Sequence, residues 1–190
     1  MSSPSSPSRK ARADASRNRD RILEVARNLF AERGSQVQLP EVARAAGVGI
    51  GTVYRHFPTQ ADLIEAAAAQ RFAEIEEYAR TACLVGEPGR GLWRYLNHVG
   101  ETLAADSGLS AAIEAARHSP GSAPRGEALA GLEVVIGDII ESDCAAGALR
   151  ADLTVADVYM VVGALSATIS TGSGDWRRLL ALQFEGLRPA

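Results

Sequence analysis

Cysteine is nearly missing from this 190-residue chain: Cys83 and Cys144 stand far apart and in no metal-like spacing. That count excludes a disulfide-rich scaffold and a Cys-rich metal centre, and the two are read as reduced, buried thiols. Aromatic residues make up only 5% of the chain. No apolar run approaches the roughly 20 residues that a membrane-spanning helix needs. The opening "MSSPSSPSRKARADAS" has no apolar core of a secretory signal, so a cytoplasmic protein with no membrane partner is expected. Strand-like alternation and internal repeats are also missing. His98 and His118 have no metal-like partner spacing, and nothing sets a nucleophile beside a base. Neither an enzyme nor a bound cofactor or metal is expected.

What is there is helical. Hydrophobic residues are 46% of the chain and lean on Ala, Leu and Val, a mix that favours helix over sheet. The net charge of −3 conceals an asymmetry. Residues 1–60 hold ten Arg/Lys against five acids, a net of +5, and the remainder holds ten against eighteen, a net of −8. A basic head on an acidic body implies a polyanion as partner for the head alone.

The chain divides into three stretches. Residues 1–15 are Ser-, Pro- and Arg-rich and read as a disordered basic arm, suited to a neighbouring minor groove. Residues 16–62 read as a small helical domain and 63–190 as a larger helical one. The first helix, from about Ser16, carries Ile22, Leu23, Val25, Ala26, Leu29 and Phe30 as an i, i+3, i+4, i+7 stripe and is closed by Gly34. Pro40–Ala46 is a short helix, stopped by Gly47, and Ile50–Phe57 is another, with Gly49 as its N-cap. Thr59 and Asp62 have capping-box spacing at the head of a helix that runs to about Cys83. Further helices are expected over Gly91–Ala105, Leu109–Arg117, Glu127–Ala146, Thr154–Ser170 and Asp175–Leu187. The expected fold is all-α.

Three glycines in "GVGIG" separate the two short helices, the spacing of a helix-turn-helix whose second helix lies in the DNA major groove. Gly47 suits the left-handed end of a helix. Gly49 and Gly51 keep the start of the recognition helix bare, so that backbone can approach DNA. Thr52, Tyr54 and His56 supply donors for phosphate oxygens, and Arg55 suits a bidentate contact to guanine. Each also has a plain structural use: His56 beside Phe57 as a half-buried histidine, Tyr54 as core.

The segment "RILEVARNLFAERG…VARAAGVGIGTVYRHFPTQADLIEAA", about Arg21 to Ala67, resembles the DNA-binding domain of the TetR (tetracycline-repressor) family of bacterial transcriptional regulators. "GALRADLTVADVYMVVGAL" with "LLALQFEGLR" resembles the closing helices of many members. The resemblance implies an N-terminal three-helix DNA-binding domain and a C-terminal bundle for ligand sensing and dimerisation. It implies phosphate contacts from Thr52, Tyr54 and His56, and base or groove contacts near Gly49, Ile50, Gly51 and Arg55. Two positions depart from the family pattern. Gln60, counted among the expected DNA-contacting residues, stands where Lys or Arg is frequent, and Leu39 stands where Ser or Thr is frequent, so that contact is either absent or taken by Gln38.

The implied partners are a pseudo-palindromic double-stranded operator, a second copy of the chain and a small-molecule effector that releases a repressor. A constitutive DNA-binding or architectural protein without an effector is the alternative. For the dimer face, Gly163, Ala167 and Ser170 form a small-residue stripe beside Val158 and Val162, with Trp176, Leu180 and Gln183 on the last helix. For a ligand pocket, the larger or polarisable body residues Phe72, Trp93, Tyr95, His98, Cys144 and Met160 are the candidates.

Overall fold

A computed structural model describes residues 9–119 and 121–189. Among them are nine α-helices and no strand: α1 (Arg9–Arg33), α2 (Leu39–Ala46), α3 (Ile50–His56), α4 (Gln60–Tyr78), α5 (Gly91–Ala105), α6 (Ser107–Arg117), α7 (Gly126–Ala145), α8 (Val155–Thr171) and α9 (Trp176–Glu185). A single 3-10 turn follows α1, and a π-helical turn, Ala79–Cys83, continues α4.

Local chemistry sets most of the boundaries. Gly34 and Gly47 take left-handed φ values of 57° and 64° where α1 and α2 stop. The Thr59 hydroxyl accepts from the backbone N–H of Asp62 while Asp62 accepts from that of Thr59, and Thr154 and Asp157 repeat the arrangement at α8. One boundary differs from the sequence reading. The basic arm expected to be disordered over 1–15 is helical from Arg9, and its first eight residues lie outside the described ones. No glycine or proline interrupts Arg9–Arg33, and Arg, Lys and Ala are strong helix formers, so the α1 frame extends backwards.

Ile22, Leu23, Ala26 and Phe30 of α1 bury against Leu39, Val42 and Ala46 of α2, Val53 of α3, and Leu63 and Ile64 of α4. Leu39, the unusual residue at the head of α2, is part of this core, which accounts for an apolar side chain there. In the body, Leu92, Leu96 and Val99 of α5 meet Leu132, Ile136 and Ile139 of α7 and Val158, Val161 and Leu165 of α8. The buried Asp143 carboxylate organises the turn before α5. It accepts from the backbone N–H groups of Gly89 (2.9 Å), Gly91 (3.2 Å) and Leu92 (2.8 Å), which are otherwise orphan donors at a helix start.

Three residues assigned to a dimer face belong instead to the chain's own core. Val158, Trp176 and Leu180 are buried, with the Trp176 ring lying over Gly100 so closely that a Cβ there would sit 2.7 Å from Cε3. Their apolar spacing satisfies α5 rather than a second copy. The outward face of α8 is Met160, Gly163, Ala167 and Ser170, and that of α9 includes Leu182.

Two elements join head to body. α4 runs through both, and α6 packs its N-terminus on the end of α1, where a Cβ on Gly108 would lie 2.6 Å from the Ala31 carbonyl oxygen. Arg27 of α1 clamps the joint, donating to Glu74 of α4 (2.6 Å) and to Asp106 at the α5–α6 corner (3.2 Å).

Candidate nucleic-acid interface and buried cavity

The α2–α3 corner is held from behind by an arginine. Arg21 donates from Nη2 to the carbonyls of Ala46 and Gly47, the last acceptors of α2, where a cation also suits the helix dipole. The backbone N–H of Val48 returns to Ala43, completing the stop. Gly49 then caps α3 with extended backbone, and its carbonyl accepts from Thr52 at 2.8 Å. Val53 and Phe57 point inward and are buried.

The opposite face of α3 is open. Ile50 is 39% exposed and Tyr54 49%; Gly49, Gly51 and Arg55 are exposed, and Thr52 and His56 are half-buried. His56 lies tilted against Phe57, ring centroids 6.2 Å apart. Among the described residues neither Tyr54 nor Arg55 has a hydrogen bond or ion pair. A Cβ on Gly49 or Gly51 would meet nothing within 4 Å, so packing inside the chain does not require glycine at either position.

Charge in the head is divided between structure and surface. Arg27 holds the joint, Arg33 pairs with Glu41 (3.1 Å), and Arg19 lies 5.5 Å from the Phe57 ring centroid. Arg44, at the end of α2, is exposed and, like Arg55, has no hydrogen bond or ion pair among the described residues, though its charge acts on Glu41. The sequence reading missed it, although an arginine on a short helix beside the glycine corner was signal enough.

Two expected DNA contacts differ in geometry. Gln60 donates its amide Nε2 to the carbonyls of Ser35 (2.9 Å) and Val37 (2.7 Å), tying the start of α4 to the loop before α2. Both amide hydrogens are therefore engaged inside the chain. Gln38 keeps an exposed side chain, while its backbone N–H donates to Glu41 at 2.9 Å.

In the body, a cavity of about 590 Å³ lies between α4, α5, α7 and α8, with Glu114 of α6 at its edge. Its apolar wall comprises Phe72, Ile75, Val99, Leu103, Leu129, Leu132 and Val162. The loop Gly121–Pro124 closes one side, and Gly163, Ala167 and Ser170 form a rim on α8. Of the expected ligand residues only Phe72 and Tyr95 line it. Trp93 stands edge-on to Phe184 (5.0 Å), His98 stacks on Tyr78 (3.7 Å), and the Cys144 thiol lies 3.4 Å from the Arg150 carbonyl. Met160 is 67% exposed on the outer surface. Size and polarisability did not select the residues that line the cavity, because helix rotation turns Trp93 and His98 away from the face that carries Tyr95 and Val99.

The polar lining is sparse and unusual. Arg71 is 1% exposed, and its only hydrogen bonds among the described residues are to neutral groups: Nη1 to the Ser110 hydroxyl (3.0 Å) and Nη2 to the Ser122 carbonyl (3.3 Å). Burial lowers its pKa to about 10, which leaves it cationic at neutral pH. The Tyr159 hydroxyl is buried without a hydrogen-bond partner among the described residues, and desolvation lifts it to about 12. Burial likewise raises Tyr95.

The comparisons with known proteins follow this division. Residues 22–67 match the model described as bacterial regulatory proteins, tetR family, and residues 87–189 match that of the Transcriptional regulator SbtR-like, C-terminal domain. A TetR transcription regulatory protein from Mycobacterium vanbaalenii is 36% identical, with 94% of this chain and 99% of that one covered and a TM-score of 0.68. A TetR transcriptional regulator from Streptomyces coelicolor is 31% identical over 90% of this chain and 99% of that one, at a TM-score of 0.69. An HTH-type transcriptional regulator of Staphylococcus aureus is 45% identical over 53 residues, which span 27% of this chain and only 29% of that protein's length.

Proposed function

The chain belongs to the TetR family of bacterial transcriptional regulators, and from that premise we propose a homodimeric repressor released from a pseudo-palindromic operator by a small molecule. The observation that carries the effector reading is the 590 Å³ cavity, whose walls include α4 and α6, the two helices that also touch the head. No described helix is long and apolar enough to cross a membrane.

On this reading residues 16–62 are the DNA-binding domain and 63–190 the sensor and dimer domain, with α4 shared. α3 enters the major groove. Tyr54, Thr52 and His56 address phosphates, Arg55 addresses a base edge, and Arg44 adds a phosphate contact from the end of α2. Gly49, Ile50 and Gly51 let the backbone come close. Gln38 stands at the edge of the same face, and Gln60 contributes by holding the loop rather than by binding.

Two copies meet through the outward faces of α8 and α9, where Gly163 and Ala167 permit close approach and Met160 and Leu182 add apolar area. The half-buried Val162 and Gln183 flank that face. Because Gly163, Ala167 and Ser170 also rim the cavity, the second copy covers its edge. An effector then shifts the spacing of the two heads through α4 and α6. A near-complete switch requires it to favour the released state by about 5.5 kcal/mol.

The test is selection of binding sites from random duplexes at two salt concentrations, with Tyr54→Phe and Arg55→Ala alongside. The expected product is an inverted repeat of about 15–25 base pairs, set by half-sites one helical turn apart. Arg55→Ala is expected to weaken it about 10–100-fold, the range of one bidentate base contact. Binding with no enriched sequence, abolished simply by salt, would reject the operator reading.

A further inference from the structure

Arg71 is a buried cation without an anion. Its Nε has no hydrogen-bond partner among the described residues, and its Nη2 holds the Ser122 carbonyl only at 3.3 Å. Nε and Nη2 form one edge of the planar guanidinium, the edge that receives a carboxylate side-on through two parallel bonds. That edge is the underused one; Nη1, at the other end, is fixed on Ser110. The side chain lines the cavity, with its guanidinium carbon 5.1 Å from the Phe72 ring centroid.

The neighbouring charges do not neutralise it. The groups that act on Arg71 through space are Asp106, Arg27 and Arg117. Asp106 is already hydrogen-bonded by Arg27, and Arg117 is held by Glu65 at 2.7 Å. Glu114 and Glu133 also border the cavity, but neither is bonded to Arg71. A desolvated cation retained in this state is costly unless something pairs with it. Arg71 is the one cation among the described residues that line a cavity which also holds Glu114 and Glu133, so it suits one monoanion; a phosphate dianion would need more.

We propose that the cavity takes an amphipathic organic carboxylate, whose carboxylate sits side-on against the Nε–Nη2 edge of Arg71 and displaces the Ser122 carbonyl. This rests on the effector reading above. The hydrocarbon or aryl part lies along Phe72, Ile75, Val99 and Leu132, in a space of the size usual for small ligands. Displacing Ser122 loosens the loop that follows α6, which Arg117 also holds through the Ala123 carbonyl at 2.6 Å.

The experiment measures affinity of the full chain by calorimetry for octanoate and 4-phenylbutyrate, and for their primary amides as matched neutral probes. The acids are expected to bind about 10–100-fold more tightly than the amides, the range of a charge-assisted pair over a neutral one. Arg71→Gln is expected to abolish that preference while keeping amide binding, with Arg71→Lys intermediate because it keeps the charge but loses the fork. Equal binding of acids and amides by the unaltered chain overturns the carboxylate proposal and leaves the effector reading standing. So does a preference that survives in Arg71→Gln. Should none of the four probes bind, both the proposal and the effector reading fall for ligands of this size. The acid-against-amide comparison needs no variant, so poor folding of Arg71→Gln does not disarm it.

Discussion

Head and body leave polar groups unpartnered in opposite surroundings. On the head, Tyr54, Arg55 and Arg44 stand in water, where an unmatched donor is solvated and costs nothing. In the body, Arg71 and Tyr159 are unmatched inside, where each missing hydrogen bond costs about 1–3 kcal/mol. The first arrangement suits a partner that comes and goes with salt, as DNA does. On the proposed reading, the second stores a penalty that a ligand would relieve, making binding energy available for a change of state. Glycine follows the same division: nothing crowds Gly49 or Gly51 on the head, while Gly108 lies pressed against the backbone of α1 at the joint.

The hardest way to break the comparison is to fill the joint. Gly108→Ala places a methyl group against the carbonyls of Phe30 and Ala31, and backbone cannot yield as a side chain would. A loss of about 3 kcal/mol in urea unfolding is expected, the upper range for overpacking. No loss there would mean that head and body are not locked through α6.

Asp143→Ala comes next. It strands three backbone donors at the start of α5 inside the body, and a loss of about 2–3 kcal/mol is expected by thermal unfolding. Since Asp143 serves the turn before α5 in the body rather than the proposed DNA face, operator affinity of the remaining folded protein should be unchanged. Gly51→Ala is smaller and separates stability from function. Helix propensity predicts a gain of about 0.5–1 kcal/mol in folding, because nothing surrounds the added methyl. Fluorescence anisotropy on the operator should nevertheless show weaker binding; unchanged affinity would remove Gly51 from the proposed interface.

The smallest effect is a pH dependence from the body. Burial against Tyr78 holds the His98 imidazole below its ordinary value of 6.5, with Glu101 opposing the shift. The unfolded chain therefore takes up the proton first. Stability from this group is full above about 6.5 and declines as pH falls toward the lower folded value. His98→Phe should flatten the stability profile over that interval, and an unaltered slope would assign it to another group.

Much of the architecture is readable from residue order, because it is set by neighbours a few positions apart. The capping pairs Thr59–Asp62 and Thr154–Asp157, the stop at Gly47 and the stripe of α1 all depend on local spacing, and the helix-turn-helix follows from them. The candidate DNA face is legible for the same reason: on so short a helix, burying Val53 and Phe57 turns Tyr54 and Arg55 outward. The cavity is not legible in this way. Trp93 and Tyr95 sit two residues apart on α5, yet rotation along the helix sends one to Phe184 and the other to the cavity. Val158, Trp176 and Leu180 look like an interface in sequence because core and interface are written in the same apolar residues.

The sequence by itself determined an all-α chain with a basic head, the places where most of its helices start and stop, and the residues that the short helix α3 presents. Those depend on dihedral preference, capping and period, which act over a few residues. Only the tertiary structure decided which cations are free, which apolar faces remain outside, and that Arg71 is enclosed without a carboxylate. Those outcomes depend on distances between residues far apart in the chain, such as Arg71 to Ser110 and Ser122, or Gly108 to Phe30. Desolvation is a property of the packed whole, and it is desolvation that turns one arginine among many into a candidate receptor for an anion.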